Sequence, residues 1–206
     1  LAVADSALQR EIRRGDRAST AEIVDRARGA RDAIAGLTRL VASTMDATRL
    51  QTGQVGARRV ACDLRDLLEG VRARQQAMAP EARIKTDHPA NLNAVALCDP
   101  AHAEQVLENL MSNAVKYAPK GSAITVHLHG NATELHCDVT NDGPKIAEAD
   151  RAQLFDANFR GQNSAGTRGT GVGLFIARSL ARMQGGDLQL RDTDTGTSFR
   201  FTLPRY

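Results

Sequence analysis

Gly169-Thr170-Gly171-Val172-Gly173-Leu174 runs directly into the apolar helical pattern Phe175-Ile176-Ala177-Arg178-Ser179-Leu180. Glycines at alternate positions leave the backbone free to pass close to a bound group, because no Cβ stands in the way. The helix that follows offers unpaired N–H groups and the positive end of its dipole, and both favour an anion such as phosphate. A glycine-rich turn before a helix is a common feature, so this stretch is a weak signal by itself. Its weight comes from three upstream segments that fit the same kind of site.

The composition is typical of a globular protein. The chain has 206 residues, of which 42% are apolar and 25% charged, and it contains neither an apolar run of membrane-spanning length nor a signal-peptide pattern. Its three cysteines, at positions 62, 98 and 137, lack metal-ligand spacing, so we expect reduced and mostly buried thiols. The net charge is +3, but arginines stand beside acidic residues and aromatics are few, which argues against nucleic acid as a partner. Because the chain opens on Leu1, we expect it to be part of a longer protein.

The first 54 residues have the apolar spacing of a helical hairpin. From Ile23 to Thr48 apolar and small residues recur at alternating four- and three-residue steps, and a shorter stripe lies between Leu1 and Ile12. Two such helices expose a seam that one hairpin cannot cover, so we expect pairing with a second copy in a four-helix bundle. The alternative is one amphipathic helix packed on its own domain. Residues 55–59 break the pattern with a glycine and a basic pair and are predicted to form a hinge.

Beyond the hinge, residues 60–206 alternate between strand and helix patterns. The stretch 158–170 is polar, rich in glycine and long for a structureless connection, so we predict a functional loop there. Strands gathered with helices on one face form a two-layer α+β sandwich. We predict helices over 64–78, 101–117 and 172–183, a short helix ending at 153–155, and strands over 60–62, 83–86, 94–98, 124–129, 135–140, 187–190 and 198–203.

The first upstream segment places four polar side chains on one helix face. They are Asn109, Asn113, Lys116 and Tyr117. A carboxamide oxygen suits Mg²⁺, which prefers oxygen ligands and often bridges phosphates. A lysine offers phosphate a point charge, and a tyrosine offers a base its aromatic face.

The other two upstream segments are short loops. Residues 141–146, Asn-Asp-Gly-Pro-Lys-Ile, follow a predicted strand and form a turn that can present the Asn141 side chain to a base edge. Residues 155–160, Phe-Asp-Ala-Asn-Phe-Arg, contain two aromatics around a loop and an arginine that can reach a terminal phosphate. Together with the glycine loop, they complete a set of four segments suited to a nucleotide.

In order and spacing these four segments resemble the N, G1, F and G2 boxes of bacterial sensor histidine kinases, which belong to the GHKL ATPase superfamily with its Bergerat nucleotide fold. Residues 60–206 resemble the catalytic ATP-binding domain, and residues 1–54 resemble the dimerisation and histidine-phosphotransfer hairpin with its first helix cut short. The resemblance implies the cytoplasmic kinase core of a two-component sensor that uses ATP and Mg²⁺. It also implies a homodimer formed through the hairpin, phosphoryl relay to the receiver domain of a response regulator, and contact with a membrane only through parts absent from this chain.

The resemblance further implies roles for matching residues. Asn113 would coordinate Mg²⁺, Asn109 would hold phosphate oxygens or metal-bound water, and Lys116 and Arg160 would contact phosphate. Asn109, Lys116 and Arg160 are therefore the implied catalytic residues. The implied nucleotide-binding set is Asn109, Asn113, Lys116, Tyr117, Asn141, Gly143, Ile146, Phe155, Phe159, Arg160, Gly169, Thr170, Gly171, Val172, Gly173 and Leu174.

Three departures from the family pattern bear on activity. Asn141 stands where an adenine-binding Asp is usual, which removes charge assistance from the bond and weakens it by about 1 kcal/mol. Lys145 stands where a second glycine is common, and it would strain the turn if the position required a positive φ. None of the five histidines lies in the hairpin, so the acceptor histidine is expected just upstream of Leu1.

Two other functions compete with the kinase. One is a catalytically silent nucleotide-binding scaffold that docks a response regulator, and the three departures support it. The other is an anti-sigma serine kinase of the same fold, which leaves the long N-terminal hairpin unexplained. A hydrolytic relative would carry a glutamate base at the position of Asn109, whereas Glu108 lies one step earlier, about 100° around the helix. We therefore expect slow ATP hydrolysis.

Overall fold

The computed structural model describes residues 24–27, 29, 34, 45, 48, 56–161, 170–194 and 196–206. The chain divides into two compact units, Leu1–Ala42 and Ser43–Tyr206. In the first unit the described residues 24–27, 29 and 34 are helical. Most of the predicted hairpin lies outside the described residues, and so does its pairing with a second copy. The second unit carries the elements that build the site.

The helices and strands of the second unit follow the predicted order. Ten of the eleven begin and end within one residue of the predicted bounds, and only the short helix differs. The described elements are β1 (Val60–Asp63), α1 (Leu64–Met78), β2 (Arg83–Asp87), β3 (Val95–Cys98), α2 (Pro100–Tyr117), β4 (Ala123–Gly130), β5 (Glu134–Asn141), α3 (Glu148–Arg151), α4 (Gly173–Met183), β6 (Asp187–Arg191) and β7 (Thr197–Pro204).

The short helix α3 was predicted to end at 153–155, and this was wrong. It ends at Arg151, and the chain continues in turns that close over three residues. The amide of Leu154 donates to the Arg151 carbonyl at 3.4 Å, and the amide of Asp156 donates to the Gln153 carbonyl at 2.9 Å. Such turns are tighter than an α-helix and rarely extend far, so the segment stays compact without becoming helical.

Five strands form the main sheet in the order β2-β4-β5-β7-β6. Strand β2 runs parallel to β4, whereas the pairs β4–β5, β5–β7 and β7–β6 are antiparallel. The prediction that all strands gather in one sheet was wrong for β1 and β3, which form an antiparallel ladder of their own. An isolated bridge between Ala96 and Arg205 connects this ladder to the chain after β7.

The core lies between one face of the main sheet and the helices. Alternate residues of β4 and β5 are buried, from Ile124 to Leu128 and from Leu135 to Val139, as expected when one face of a sheet is covered. Helix α2 packs against both α1 and α4. The other sheet face is more polar and includes His127 and His129, whose ring centroids lie 5.0 Å apart. The predicted two-layer α+β class is confirmed. Among the described helices, none combines the length and the apolarity of a membrane span.

Candidate functional site

Helix α2 presents its polar site residues along one edge. The Asp99 side chain caps the helix by accepting hydrogen bonds from two amides of the first turn, and Pro100 begins the helix, which is a favourable position for proline. Asn109, Asn113 and Lys116 lie half-buried beside the apolar stripe. Because that stripe is fully packed, it fixes which way the polar edge faces. The buried stripe consists of Ala103, Val106, Leu107, Leu110, Met111 and Ala114.

The start of α4 approaches α2 at Asn109. Gly173 is the first residue of α4, and a Cβ at this position would lie 3.4 Å from the Asn109 amide oxygen. The N-cap residue is Val172, and no described side chain caps this end of α4. The first N–H groups of α4 therefore open beside Asn109, which is an arrangement suited to an anion.

The glycine loop is packed onto the aromatic segment before it. Gly171 has a positive φ of 73°, and a Cβ there would lie 2.6 Å from the Phe159 carbonyl oxygen. Asn158 is the only described non-glycine residue with a positive φ, at 67°, and asparagine tolerates this conformation better than most residues. Thr170 accepts a hydrogen bond at its Oγ1 from the Val172 amide at 3.3 Å. Gly169 lies outside the described residues, as do residues 162–168.

The turn after β5 is pressed against the end of α2. A Cβ on Gly143 would lie 2.4 Å from the Tyr117 carbonyl oxygen and 2.5 Å from Asn141 Nδ2. Only glycine fits this close approach without a shift of the backbone. On the other side, Thr197 Oγ1 donates to the Pro144 carbonyl at 2.9 Å. The turn is thus held between α2 and the first residue of β7.

Lys145 does not strain this turn. Its φ is not positive, since Asn158 alone among the described non-glycine residues has that conformation. The backbone strain that a lysine would cause at a position of positive φ is therefore absent here.

Asn141 is buried with an unused donor. The residue is 5% exposed, and within the described part of the chain its Nδ2 has no hydrogen-bond partner. A buried amide without a partner is costly, and such groups are rare in folded proteins. The side chain carries both a donor and an acceptor, which is the complement of the amino group and ring nitrogen at an adenine edge. The residues present therefore fit an adenine base at this position.

Phe155 is a core residue as much as a loop residue. Its ring meets Phe199 edge-on with centroids 6.3 Å apart, and the Arg178 guanidinium lies 4.4 Å from its centroid. Arg178 Nε also donates to Asp187 Oδ1 at 3.1 Å. Burial opposes ionisation of Asp187, but hydrogen bonds from Arg178 and Arg182 outweigh it and lower the pKa of Asp187 to about 2. Phe155 therefore packs between Phe199 of the sheet and Arg178 of α4, which is itself paired with Asp187.

The remaining predicted residues lie on α2 and on the loops and helix that follow β5. Lys116 Nζ donates to the Tyr117 hydroxyl at 3.1 Å. Ile146 and Leu174 are half-buried against the core. Arg160 is exposed, and residue 161, which follows it, is packed against the Asp150 carboxylate.

Three contacts join the four segments into one site. The Asn109 side chain lies against Gly173, the Tyr117 carbonyl lies against Gly143, and the Phe159 carbonyl lies against Gly171. Thr197 and Arg178 also support the site and were missed, because a threonine at a strand start and an arginine in a helix carry no distinguishing sequence signal.

A family model described as histidine kinase-, DNA gyrase B- and HSP90-like ATPase matches residues 98–206. The chain belongs to this family. Its members' domain binds ATP, so ATP is the nucleotide that fits the site. The match begins at the last residue of β3 and covers α2, the turn after β5, the aromatic segment and the glycine loop, and it confirms the resemblance to the GHKL superfamily.

Several named relatives of the chain are sensor histidine kinases. It is 28% identical over 181 residues to the adaptive-response sensory kinase SasA of Synechococcus sp. strain JA-3-3Ab, covering 86% of this chain and 48% of the relative. It is 30% identical over 178 residues to the sensor protein KdpD of Escherichia coli K12, covering 85% of this chain and 20% of KdpD. The chain thus spans less than half of each relative.

Solved histidine kinase structures share the fold. The structure of histidine kinase ThkA in complex with the response regulator TrrA matches with a TM-score of 0.76 and 19% identity, over 99% of this chain and 57% of ThkA. At this level of identity the likeness supports the fold alone.

Proposed function

We propose that the chain is the kinase core of a two-component sensor, which uses ATP and Mg²⁺ to phosphorylate a histidine upstream of Leu1. The observation that carries this proposal is the convergence of the four nucleotide segments through the contacts of Asn109, Tyr117 and Phe159 with three glycine positions. The proposed relay then passes the phosphoryl group to an aspartate on a response regulator.

We propose for these residues the roles that the family resemblance implies at matching positions. The Asn113 oxygen is the proposed Mg²⁺ ligand, and Asn109 beside the start of α4 holds phosphate oxygens or metal-bound water. Lys116 and Arg160 supply positive charge to the phosphates, and Tyr117, Asn141, Gly143 and Ile146 form the adenine side. Bound Mg²⁺ would neutralise phosphate charge, while the protein aligns the groups that react. Phe155 and Phe159 anchor the loop, and residues 169–174 surround the phosphates.

The surroundings of Glu108 support transfer over hydrolysis. Glu108 is the acidic residue nearest in sequence to Asn109, and its Oε1 accepts from Arg74 Nη2 at 3.0 Å. This pair joins α2 to α1, whereas Asn109 lies beside Gly173 at the start of α4. Asn109 itself is an amide and cannot take a proton from water. The described α2 therefore offers no general base beside the proposed phosphate position, so hydrolysis should be slow.

Calorimetric titration of ATP into the chain, with and without Mg²⁺, tests the nucleotide site. We expect Mg²⁺-dependent binding that is lost in Asn113→Ala. Ser112→Ala is the matched control, because Ser112 is the exposed neighbour of Asn113 on the same helix. The absence of binding by the unmodified chain would overturn the kinase proposal. Binding in Asn113→Ala as tight as in Ser112→Ala would overturn the role of Asn113.

The partners follow from the same proposal. We propose a homodimer formed through the helical hairpin of residues 1–54, a hinge at 55–59 and a catalytic domain at 60–206, located in the cytoplasm. The silent scaffold remains the alternative because Asn141 is neutral, although Lys145 no longer supports it. Phosphorylation of a histidine-bearing hairpin supplied in trans would exclude the scaffold.

A further inference from the structure

Gln184 is a fully buried polar residue far from the nucleotide segments. It follows the last turn of α4 and is 0% exposed. Its Nε2 donates to the Leu180 carbonyl at 3.1 Å, and its Oε1 accepts from the Asp99 amide at 2.8 Å. A buried amide side chain with both ends satisfied holds its partners in fixed positions. Gln184 therefore ties the end of α4 to the cap of α2.

Asp99 extends this connection to the segment that precedes β1. While Oδ1 caps α2, Oδ2 accepts from the Arg58 amide at 2.8 Å. Arg59 adds a second tie, since its Nη1 donates to the Gln184 carbonyl at 3.3 Å. Burial opposes ionisation of Asp99, yet the amides of Arg58, His102 and Ala101 and the nearby His102 keep its pKa below the usual value. We call residues 56–59 the linker segment.

Two helices connect these ties to the nucleotide site. Helix α2 runs from Asp99 to the site residues Asn109 and Asn113, over distances of about 15 Å and about 21 Å at 1.5 Å per residue. Helix α4 runs from Gly173 at the site to Gln184, about 16 Å by the same rise. The ties thus hold the linker segment to the remote ends of the two helices that build the site.

We propose that Gln184 and Asp99 form a latch that fixes the direction in which the linker segment leaves the catalytic domain, and that this direction sets the rate of phosphoryl transfer. The proposal rests on the kinase function proposed above. In-line transfer requires donor and acceptor in close alignment, and small misplacements lower the rate strongly. Since the latch lies remote from the bound nucleotide, it acts on the rate and not on ATP affinity. Gln184 and Asp99 are positioning residues.

Variants of the full-length protein test the latch. Gln184→Met removes the bond to the Asp99 amide with little change in volume. Asp99→Ser keeps a helix-capping oxygen but loses the second oxygen that accepts from Arg58. Arg59→Ala removes an exposed side chain, so it keeps the test valid if Gln184→Met fails to fold. Gln76→Met is the matched control, because Gln76 likewise donates to a backbone carbonyl, that of Ala82, and accepts from a backbone amide, that of Ile84.

Three quantities are measured: the histidine phosphorylation rate at saturating ATP, the ATP dissociation constant, and hydrogen exchange at the Arg58 amide. We expect a rate loss of about tenfold in Gln184→Met and Asp99→Ser and a smaller loss in Arg59→Ala, with ATP affinity changed by less than about twofold. Exchange at Arg58 should be faster in Asp99→Ser, and Gln76→Met should leave all three unchanged.

Two results would overturn the latch. One is a rate loss in Gln76→Met equal to that in Gln184→Met, which would show a general effect of stability. The other is a normal phosphorylation rate in Asp99→Ser despite faster exchange at Arg58. Failure of the unmodified protein to bind ATP is a different outcome, which is recognised before any variant is compared. It would overturn the proposed kinase function, and with it the proposed effect of the latch on phosphoryl transfer.

Discussion

At the scale of single residues, Asn141 is the proposed adenine contact with a distinctive structural feature, a buried side-chain donor. It is 5% exposed and its Nδ2 has no partner within the described residues. Asn141→Asp turns the amide oxygen that would accept from the adenine amino group into a charged carboxylate oxygen, which forms a stronger bond to that group. We expect ATP affinity to rise about fivefold to tenfold, which corresponds to about 1 kcal/mol. Without nucleotide, the melting temperature should fall, since a buried carboxylate without a partner is costly.

Calorimetry and thermal unfolding with and without ATP measure both effects. Asn131→Asp is the control, because Asn131 is exposed in a turn after β4 and caps it with its side-chain oxygen. Unchanged ATP affinity in Asn141→Asp would contradict an adenine contact at this residue.

Gly143 makes a second residue-level prediction. Because a Cβ there would lie 2.4 Å from the Tyr117 carbonyl oxygen, Gly143→Ala must displace the turn or the end of α2. We expect a loss of about 1–3 kcal/mol in unfolding free energy and a fall in ATP affinity of about tenfold or more, since the adenine side is displaced. Chemical denaturation and calorimetry measure the two quantities.

Gly70→Ala is the matched control for Gly143→Ala. Gly70 lies within α1, where the nearest heavy atom to an added Cβ is Arg74 Nη1 at 3.7 Å. Replacing a glycine inside a helix with alanine should stabilise the protein by about 0.5–1 kcal/mol. If both alanine variants changed the unfolding free energy and ATP affinity equally, the close approach at Gly143 would not be the cause of the loss.

At the scale of elements, the strands and long helices were predictable because their apolar periods are local and strong. Helix α2 was visible from its buried stripe and from Asp99-Pro100 at its start. The separate ladder of β1 and β3 was not predictable, since strand pairing is decided by contacts distant in sequence. The end of α3 at Arg151 was not predictable either, because the tight turns that follow it have no distinctive pattern in a short polar segment.

The residue types of the candidate site could be predicted from the sequence, whereas the contacts that hold those residues in place could not. Asn109, Gly143 and Gly171 stood out through motif spacing. The positive φ of Asn158 and the contact of Arg178 with Phe155 depend on the packed loop and sheet. Such features follow from tertiary structure and produce no periodic pattern in the sequence.

The junction of α4 with β6 gives a pH-dependent prediction. Asp187 ionises with a pKa of about 2, below its usual 3.8, because Arg178 and Arg182 favour its charged form despite burial. Its contribution to folding is therefore complete above about pH 4 and is lost as the pH falls through about 2. We expect Asp187→Asn to lower the unfolding free energy by about 1–2 kcal/mol at pH 7, allowing for partial solvent screening.

Denaturation of Asp187→Asn and the unmodified protein across this pH range measures the difference, which should shrink towards pH 2. Asp192→Asn is the control, since Asp192 pairs with Arg151 but its side chain is 83% exposed. Its effect should be small at every pH. A constant effect of Asp187→Asn from pH 7 to pH 2 would contradict ionisation as the cause.

At the scale of the whole molecule, the latch lies where α2 begins and α4 ends, and the nucleotide segments lie where α4 begins and along the rest of α2. Helix α2 carries Asn109 at its middle and is capped by Asp99 at its start, while α4 begins at Gly173 and is followed by Gln184. Nucleotide binding at one end should therefore stabilise the packing of both helices against the sheet. The stabilisation should appear in the unfolding of residues 43–206 as a unit.

We accordingly expect MgATP at about 100 times its dissociation constant to raise the unfolding free energy by about 2.7 kcal/mol. For a protein of this size that corresponds to a rise of about 5–10 °C in melting temperature. Thermal unfolding followed by circular dichroism measures it, with ATP in chelator as the comparison. Because Asn113 is the proposed Mg²⁺ ligand, Asn113→Ala should lose the Mg²⁺-dependent part of the shift, whereas Gln184→Met should keep it despite a lower starting temperature. Loss of the shift in Gln184→Met would mean that the far ends of α2 and α4 control nucleotide binding itself, contrary to a latch that acts on transfer alone.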